Sequence, residues 1–233
     1  MYYEPGKTPH GLPHDPFKSC VVPRPIGWIS TVDAQGRDNL APYSQFQNVT
    51  FDPPIVMFSA NQTTQGERKD SVRNAEQTGQ FVWNMATWAL RDAVNTSAEE
   101  LPHGVDEFER AGLGKLPSRL VAPKRVAGSP IQFECEYLNT LRFPGKPPMG
   151  TVDVVFGRVV AIHIDDAVID ANGLVDVLKI QPIARMGYFD YTTVDNKFQM
   201  VIPGNSKALL AGLEGSPDKA LLAEQIRQAH RQD

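Results

Sequence analysis

Two stretches of the chain carry side chains whose types and spacing suit small-molecule chemistry. In the first, Arg68, Lys69, Ser71 and Arg73 crowd the opening turns of residues 67–78 (ERKDSVRNAEQT), a segment of helical composition. Cations, a hydroxyl and the unpaired N–H groups of a helix start are the parts from which a phosphate site is made. Glu67, Asp70 and Glu76 balance that charge, so a solvated face is the competing reading. In the second, residues 39–50, apolar side chains alternate with Tyr43, Ser44, Gln45, Gln47 and Asn48. A purely structural strand rarely keeps so many amides and hydroxyls unless they meet water or a polar ligand, which makes this stretch a candidate binding wall.

Other reactive residues carry less. His10 and His14 would share one face of a helix, but Pro9 and Pro13 argue against that helix, so no metal site is expected. Cys20 and Cys135 sit in no CxxC or Cys/His cluster and read as buried free thiols. His163, near the end of an apolar run, reads as a structural histidine. Neither GxGxxG after a strand nor GxxxxGK(S/T) occurs, and Gly112-Leu113-Gly114 reads as a loop; a Rossmann nicotinamide domain is not expected.

The elements that must position these groups are mostly strands. Residues 24–60 read as two extended segments joined by the turn Asp33-Ala34-Gln35-Gly36, then a kink at Pro53 and Pro54 and a third strand. The helix over 67–78 follows, with Gly79 at its C-cap, then a strand at 80–85 and helical composition at 88–97. Residues 99–113 read as a loop with a short helix. Residues 131–143 alternate, with Ile131, Phe133, Cys135 and Tyr137 on one side and a wet face of Gln132, Glu134 and Glu136 on the other. Residues 151–164 are apolar on both faces, so this strand should be central or cross a subunit contact, with Gly157 marking a bulge or close approach. The expected organisation is an irregular N-terminal arm over 1–16, one main domain over 17–203, and a tail over 204–233 with two short amphipathic helices broken at Gly215 and Pro217.

Composition bounds the function classes. An apolar fraction of 41% and a charged fraction of 21% suit an ordinary folded domain. A net charge of −4 offers no footprint for nucleic acid or an anionic membrane. The first residues lack the marks of a secretory signal and no run approaches the ~20 apolar residues of a membrane span, so the expected location is cytoplasmic.

RPIGWIST, the pattern G-x-x-N-L-A-P-Y-S-x-F, then DPPIVMFS and KDSVRN, together resemble the flavin reductase family of FMN-binding split barrels, from about Phe17 to about Tyr191. The resemblance implies a mainly β fold with peripheral helices, a split β-barrel, and FMN between the subunits of a homodimer. It implies that Ile26, Trp28, Ser30 and Thr31 line the cofactor from the first strand, with core packing the other role open to Trp28. Ala41, Pro42, Tyr43 and Ser44, with Gln47, Asn48 and Val49, would follow the ring and ribityl chain. Ser59, Ala60 and Asn61 would end the third strand near the phosphate, Lys69, Asp70 and Ser71 would begin the helix that holds it, and Arg185 would reach the flavin region. Residues 99–113 would cap the pocket. The chain departs from many relatives in having no histidine in GTVDVVFG, where Thr151 and Asp153 are the nearest polar groups; hydride transfer needs positioning more than acid or base chemistry, so the departure is compatible with activity and leaves the choice of hydride donor open.

The implied function is an NAD(P)H:flavin oxidoreductase, FMN-dependent, with NAD(P)H bound transiently and reduced flavin supplied to a monooxygenase or another electron acceptor. The competing readings are an FMN-holding electron carrier resembling flavoredoxin, and a barrel that has lost flavin and binds another ligand.

Overall fold

The computed structural model describes residues 1–200, of which 1–195 form one compact unit. The two helices expected in the tail lie outside the described residues. After an irregular leading segment come α1 (Phe17–Cys20), β1 (Arg24–Pro25), β2 (Gly27–Val32), β3 (Asp38–Tyr43), β4 (Phe46–Phe51), β5 (Pro54–Asn61), α2 (Asp70–Thr78), β6 (Gln80–Asn84), α3 (Arg91–Thr96), α4 (Glu107–Arg110), β7 (Lys115–Leu116), β8 (Arg125–Val126), β9 (Ile131–Phe143), β10 (Val152–Ile164), α5 (Val177–Ile180), β11 (Ile183–Gly187) and β12 (Asp190–Thr193).

Seven strands form one antiparallel sheet in the order β3-β2-β6-β9-β10-β5-β4. Its two edges, β3 and β4, are separated in sequence only by Ser44 and Gln45. Laid flat, edges six spacings apart would stand about 29 Å from each other. Three Cα steps reach only about 11 Å, so the sheet must curl until its edges meet. Gln45 in that link already joins the β4–β5 ladder, its carbonyl accepting the Ser59 N–H at 2.9 Å. The single extended segment expected over residues 39–50 is therefore two strands on opposite edges, divided where the chain crosses the seam between those edges.

The β2–β3 turn forms as its residues require. Asp33 Oδ1 accepts the N–H groups of Gln35 and Arg37, each at 2.9 Å, and Gly36 takes φ +81°. At the far side of the barrel, β9 and β10 pair over most of their length, with a register shift at Phe156/Gly157. A side chain at position 157 would overlap the Phe81 ring, so glycine is required by a close approach. The barrel core gathers Ile29, Phe58, Phe81, Val155 and Cys135 with Val72 and Ala75 of α2. A second core, with Ile26, Trp28, Leu40, Val94, Phe108 and Val126, fills the space between the sheet and the segments carrying α3 and α4.

Two sequence expectations are corrected. Cys20 is exposed; Cys135 is buried, and that burial pushes its thiol ionisation up. The face of β9 expected to be wet is covered over half its length: Gln132 and Glu134 are enclosed, Glu134 completely, while Glu136 is exposed as expected. Glu134 accepts the N–H groups of Arg119, Leu120 and Val121 at 2.8, 2.6 and 3.2 Å and pairs with His163 Nε2 at 2.5 Å. Alternation cannot reveal this, because the covering segment is contributed from residues 116–126. His163 is thus the structural histidine expected.

These ion pairs set a pH dependence. Burial alone would push the Glu134 carboxyl up, but backbone N–H donors and His163 outweigh it and hold it below the ordinary range. Asp153, which accepts from Arg142 at 2.8 Å and Arg68 at 2.9 Å, is likewise held down against its burial, as is Glu76, chiefly by Arg68. A carboxyl whose folded pKa lies below its unfolded value stabilises the fold fully above the unfolded value and loses that contribution as pH falls through the folded one. Urea midpoints should therefore hold from neutral pH to about pH 5 and fall steeply below about pH 4. A midpoint unchanged down to pH 3 would contradict the role given to these three carboxylates.

Candidate functional site

A cleft opens where the start of α2 meets the end of β3 and the segment 97–107; Lys69, Asp70, Ser71, Tyr43, His103 and Glu107 are among its walls. It is built on α2. Lys69 is the N-cap, in extended conformation (φ −61°, ψ 144°), and no side chain caps the helix. The N–H groups of Val72 and Arg73 return to the Lys69 carbonyl. The earlier N–H groups, of Asp70 and Ser71, have no such partner among the described residues and carry the positive end of the helix dipole.

A buried polar network fixes Ser71 below the cleft. Its hydroxyl donates to Asn39 Oδ1 at 2.9 Å, Thr31 Oγ1 donates to the same oxygen at 3.1 Å, and Asn74 Nδ2 donates to Thr31 Oγ1 at 3.1 Å. Asn39 Nδ2 and the Leu40 N–H donate to Glu107 Oε2, both at 2.9 Å. Burial pushes the Glu107 carboxyl up, against those hydrogen bonds. Tyr43 closes one wall, and its hydroxyl is buried without a partner among the described residues. An unpaired buried hydroxyl costs free energy, so its retention at a cleft is a mark of a ligand position.

Carboxylates also line the cleft, and most are already engaged. Asp70 pairs with His103 Nδ1 at 2.9 Å and Arg73 at 3.5 Å; Glu99 pairs with Arg110 at 2.9 Å; Glu100 accepts from Thr64 and pairs with Lys69 at 3.1 Å. The donors left over are backbone N–H groups, the Tyr43 hydroxyl and the half-exposed Lys69, a set that fits a phosphate monoester better than a metal ion. No cluster of three potential metal ligands occurs among the described residues.

Lys69, Asp70, Ser71, Ala41, Pro42 and Tyr43 meet in this cleft. Ile26, Trp28, Ser30 and Thr31 do not line it. They are enclosed, and their polar atoms are spent on the protein: Trp28 Nε1 donates to Ser97 Oγ at 2.9 Å and Ser30 Oγ to the Lys124 carbonyl at 2.5 Å. Trp28 packs the second core, the alternative role open to it. Ser44 and Arg185 line a separate cleft beside α1. Gln47, Asn48 and Val49 are exposed on the edge strand β4, and Gln47 Nε2 donates to Asn48 Oδ1.

Ser59 and Asn61 stand on the outer face of the barrel. Ser59 is in register with Val154, which is opposite Leu141; Asn61 is in register with Val152, which is opposite Phe143. Directly opposed residues share a face, so these polar groups lie beside an apolar row in which Leu141 and Phe143 are about half exposed (47% and 54%). Ala60 points the other way, into the core. Asp153 is enclosed between Arg68 and Arg142 and has no access to a ligand.

Asn39, His103 and Glu107 are wall residues that the sequence did not single out. Apart from Thr31, which bonds Asn39 across the β2–β3 hairpin, their partners lie about thirty to seventy positions away, and no local pattern announces them.

Residues 19–179 match the family model described as flavin reductase like domain. An uncharacterized protein of Aquifex aeolicus is 36% identical over 167 residues, 72% of this chain and 82% of that one. The crystal structure of nitrilotriacetate monooxygenase component B from Bacillus cereus superposes with a TM-score of 0.78 at 27% identity, covering 86% of this chain and 98% of that one. The 2-nitrobenzoate 2-nitroreductase NbaA of Pseudomonas fluorescens gives 0.70 at 26% identity, covering 81% and 89%. No helix among the described residues is long and apolar enough to cross a membrane.

Proposed function

The chain belongs to the flavin reductase-like family, and from that premise we propose that it is an FMN-dependent oxidoreductase that takes hydride from NADH or NADPH. The observation that carries the reading is the donor set at the start of α2: an uncapped helix end, Lys69, a Ser71 fixed by Asn39, and the unpartnered Tyr43 hydroxyl. Bound there, the isoalloxazine group would supply the hydride-accepting chemistry.

The protein's own part is binding and orientation. Lys69 and the Asp70 and Ser71 N–H groups hold the phosphate, with the Ser71 side chain anchored to Asn39 to fix the helix start, while Ala41, Pro42 and Tyr43 form the adjoining wall. No side chain in the cleft is needed as acid or base, because hydride delivery asks for alignment and exclusion of water. Asp153 is not a candidate for that work, being tied to two arginines.

The same reading includes a homodimer. Val152, Val154, Phe156 and Met57, each partly covered, and the exposed Leu141 and Phe143 make an apolar row on the outer face. A second copy laid on it buries that face and brings Ser59 and Asn61 into the interface, where they can meet a ligand shared between subunits. The Bacillus cereus neighbour is a monooxygenase component, which supports a monooxygenase as the acceptor of reduced flavin.

The test is a titration of the purified protein with FMN, followed by anaerobic mixing with NADH and with NADPH. Saturable binding at micromolar concentration or tighter, and bleaching of the flavin band by one donor, is the expected result. A protein that takes up no FMN sinks the reading; one that binds FMN but accepts hydride from neither donor is an electron carrier instead.

A further inference from the structure

Beside α1 lies a second cleft, lined by Arg24, Arg185, Lys18, His14, Tyr188 and Phe189. Its charge is unbalanced. Neither arginine forms an ion pair with a carboxylate among the described residues. Arg24 Nη1 is held by the carbonyls of Lys18 and Val21, and its Nε is buried with no partner. Arg185 donates from Nη1 to the Tyr191 hydroxyl at 2.7 Å and from Nη2 to the Tyr188 carbonyl, with its guanidinium 4.6 Å over the Tyr191 ring. Asp15, also at this cleft, is turned to the Phe17 N–H. Burial, then the neighbouring Arg185, lowers the pKa of Arg24, as expected of two like charges brought together without compensation.

The rim is strained as well as aromatic. Tyr188 has φ +46°, a conformation unfavourable for a bulky residue, and it follows Gly187 at φ +113°, where a side chain would overlap Ser19. The strained turn displays Phe189, which is 94% exposed. Two unpaired guanidinia with spare N–H donors, next to rings held out to solvent, match a ligand that joins a phosphate to a planar base. The cleft also adjoins the first one through the chain itself: Pro42 and Tyr43 wall the α2 cleft, and Ser44 walls this one.

We propose that the Arg24–Arg185 cleft binds the phosphate of the second, ring-bearing substrate that exchanges with the flavin site, with Phe189 and Tyr188 as its stacking surface. The proposal rests on the flavin reading for the identity of that substrate. The shared chemistry is a phosphate ester on an aromatic base, and its two sources are a nicotinamide dinucleotide and a second, exchanging flavin nucleotide.

Calorimetry on the FMN-loaded protein separates them, with NAD⁺, NADP⁺ or a further equivalent of FMN as titrant. Arg185→Gln should weaken at least one of these about tenfold while the first equivalent of FMN binds within about twofold of the parent. Arg185→Lys should recover most of the loss. Phe189→Ala, at a position too exposed to affect folding, should weaken the ring-bearing ligands but not inorganic pyrophosphate. Pyrophosphate titrated into flavin-free protein keeps the subsite testable should FMN itself not bind, and its binding should fall in Arg185→Gln. Loss of the first FMN equivalent in proportion would assign Arg185 to the FMN site and overturn the proposal. So would unchanged affinity for all four titrants.

Discussion

Replacing Lys69 and Ser71 together by alanine is expected to raise the FMN dissociation constant about a hundredfold, close to 2.8 kcal/mol. Each residue supplies a different part of that loss. Lys69 is half exposed and shared with Glu100, so its share is a screened charge contact of the order of 1 kcal/mol. Ser71 is enclosed (1% exposed) and its hydroxyl ties the helix start to Asn39, so its removal loosens the aim of the Asp70 and Ser71 N–H groups and costs more. Ser71→Ala alone should therefore weaken FMN by about tenfold or more, and Lys69→Ala by less, with the lysine effect fading at high salt. Fluorescence quenching on binding measures all three. Equal affinity in the double variant and the parent would place the phosphate elsewhere and remove the support for the α2 cleft.

The second large effect is expected from Val154→Arg. Val154 stands mid-row on the apolar outer face, between Ser59 and Leu141, and only partly covered. In a single chain an arginine there can extend into water, so thermal melting should change little. In a two-fold dimer the substitution occurs twice and places guanidinia where no carboxylate is positioned to receive them, a penalty of several kcal/mol. Sedimentation should then show monomer at concentrations where the parent is a dimer. FMN affinity should fall with it, because Ser59 and Asn61 lose the surface that would close over the ligand. A parent that already sediments as a monomer would refute the dimer and leave the apolar row without a stated partner.

Much of the fold was legible in the sequence because the informative signals were local. The Asp33–Gly36 turn, the helix ending at Gly79 in the left-handed region (φ 73°) and the Gly157 bulge each depend on a few neighbouring residues. The extent of β9, thirteen residues, was readable from alternation, but not which of its groups are covered. The failures share a physical cause, which is cover arriving from a distance. Residues 119–121 lie on Glu134, and Lys124 and Ser97 take up the polar atoms of Ser30 and Trp28. Polar residues in a strand announce that a partner exists, but not whether the partner is a ligand or the protein. Of the candidate cleft, the α2 corner was legible because Lys69, Asp70 and Ser71 sit close together in sequence. His103 and Glu107 were reached only as part of the segment 99–113 that the resemblance implies over the pocket, since a loop meets the cleft only through the tertiary fold.

The seam at Ser44–Gln45 bears on how the chain reaches this shape. The edges β3 and β4 are adjacent in sequence and meet at little cost in chain entropy, whereas pairing β5 with β10 closes the whole loop between Asn61 and Val152. The slow event in refolding should thus be the distant pairing in the sheet's middle. Weakening the β5–β10 register should retard folding, whereas lengthening the Ser44–Gln45 link should chiefly hasten unfolding.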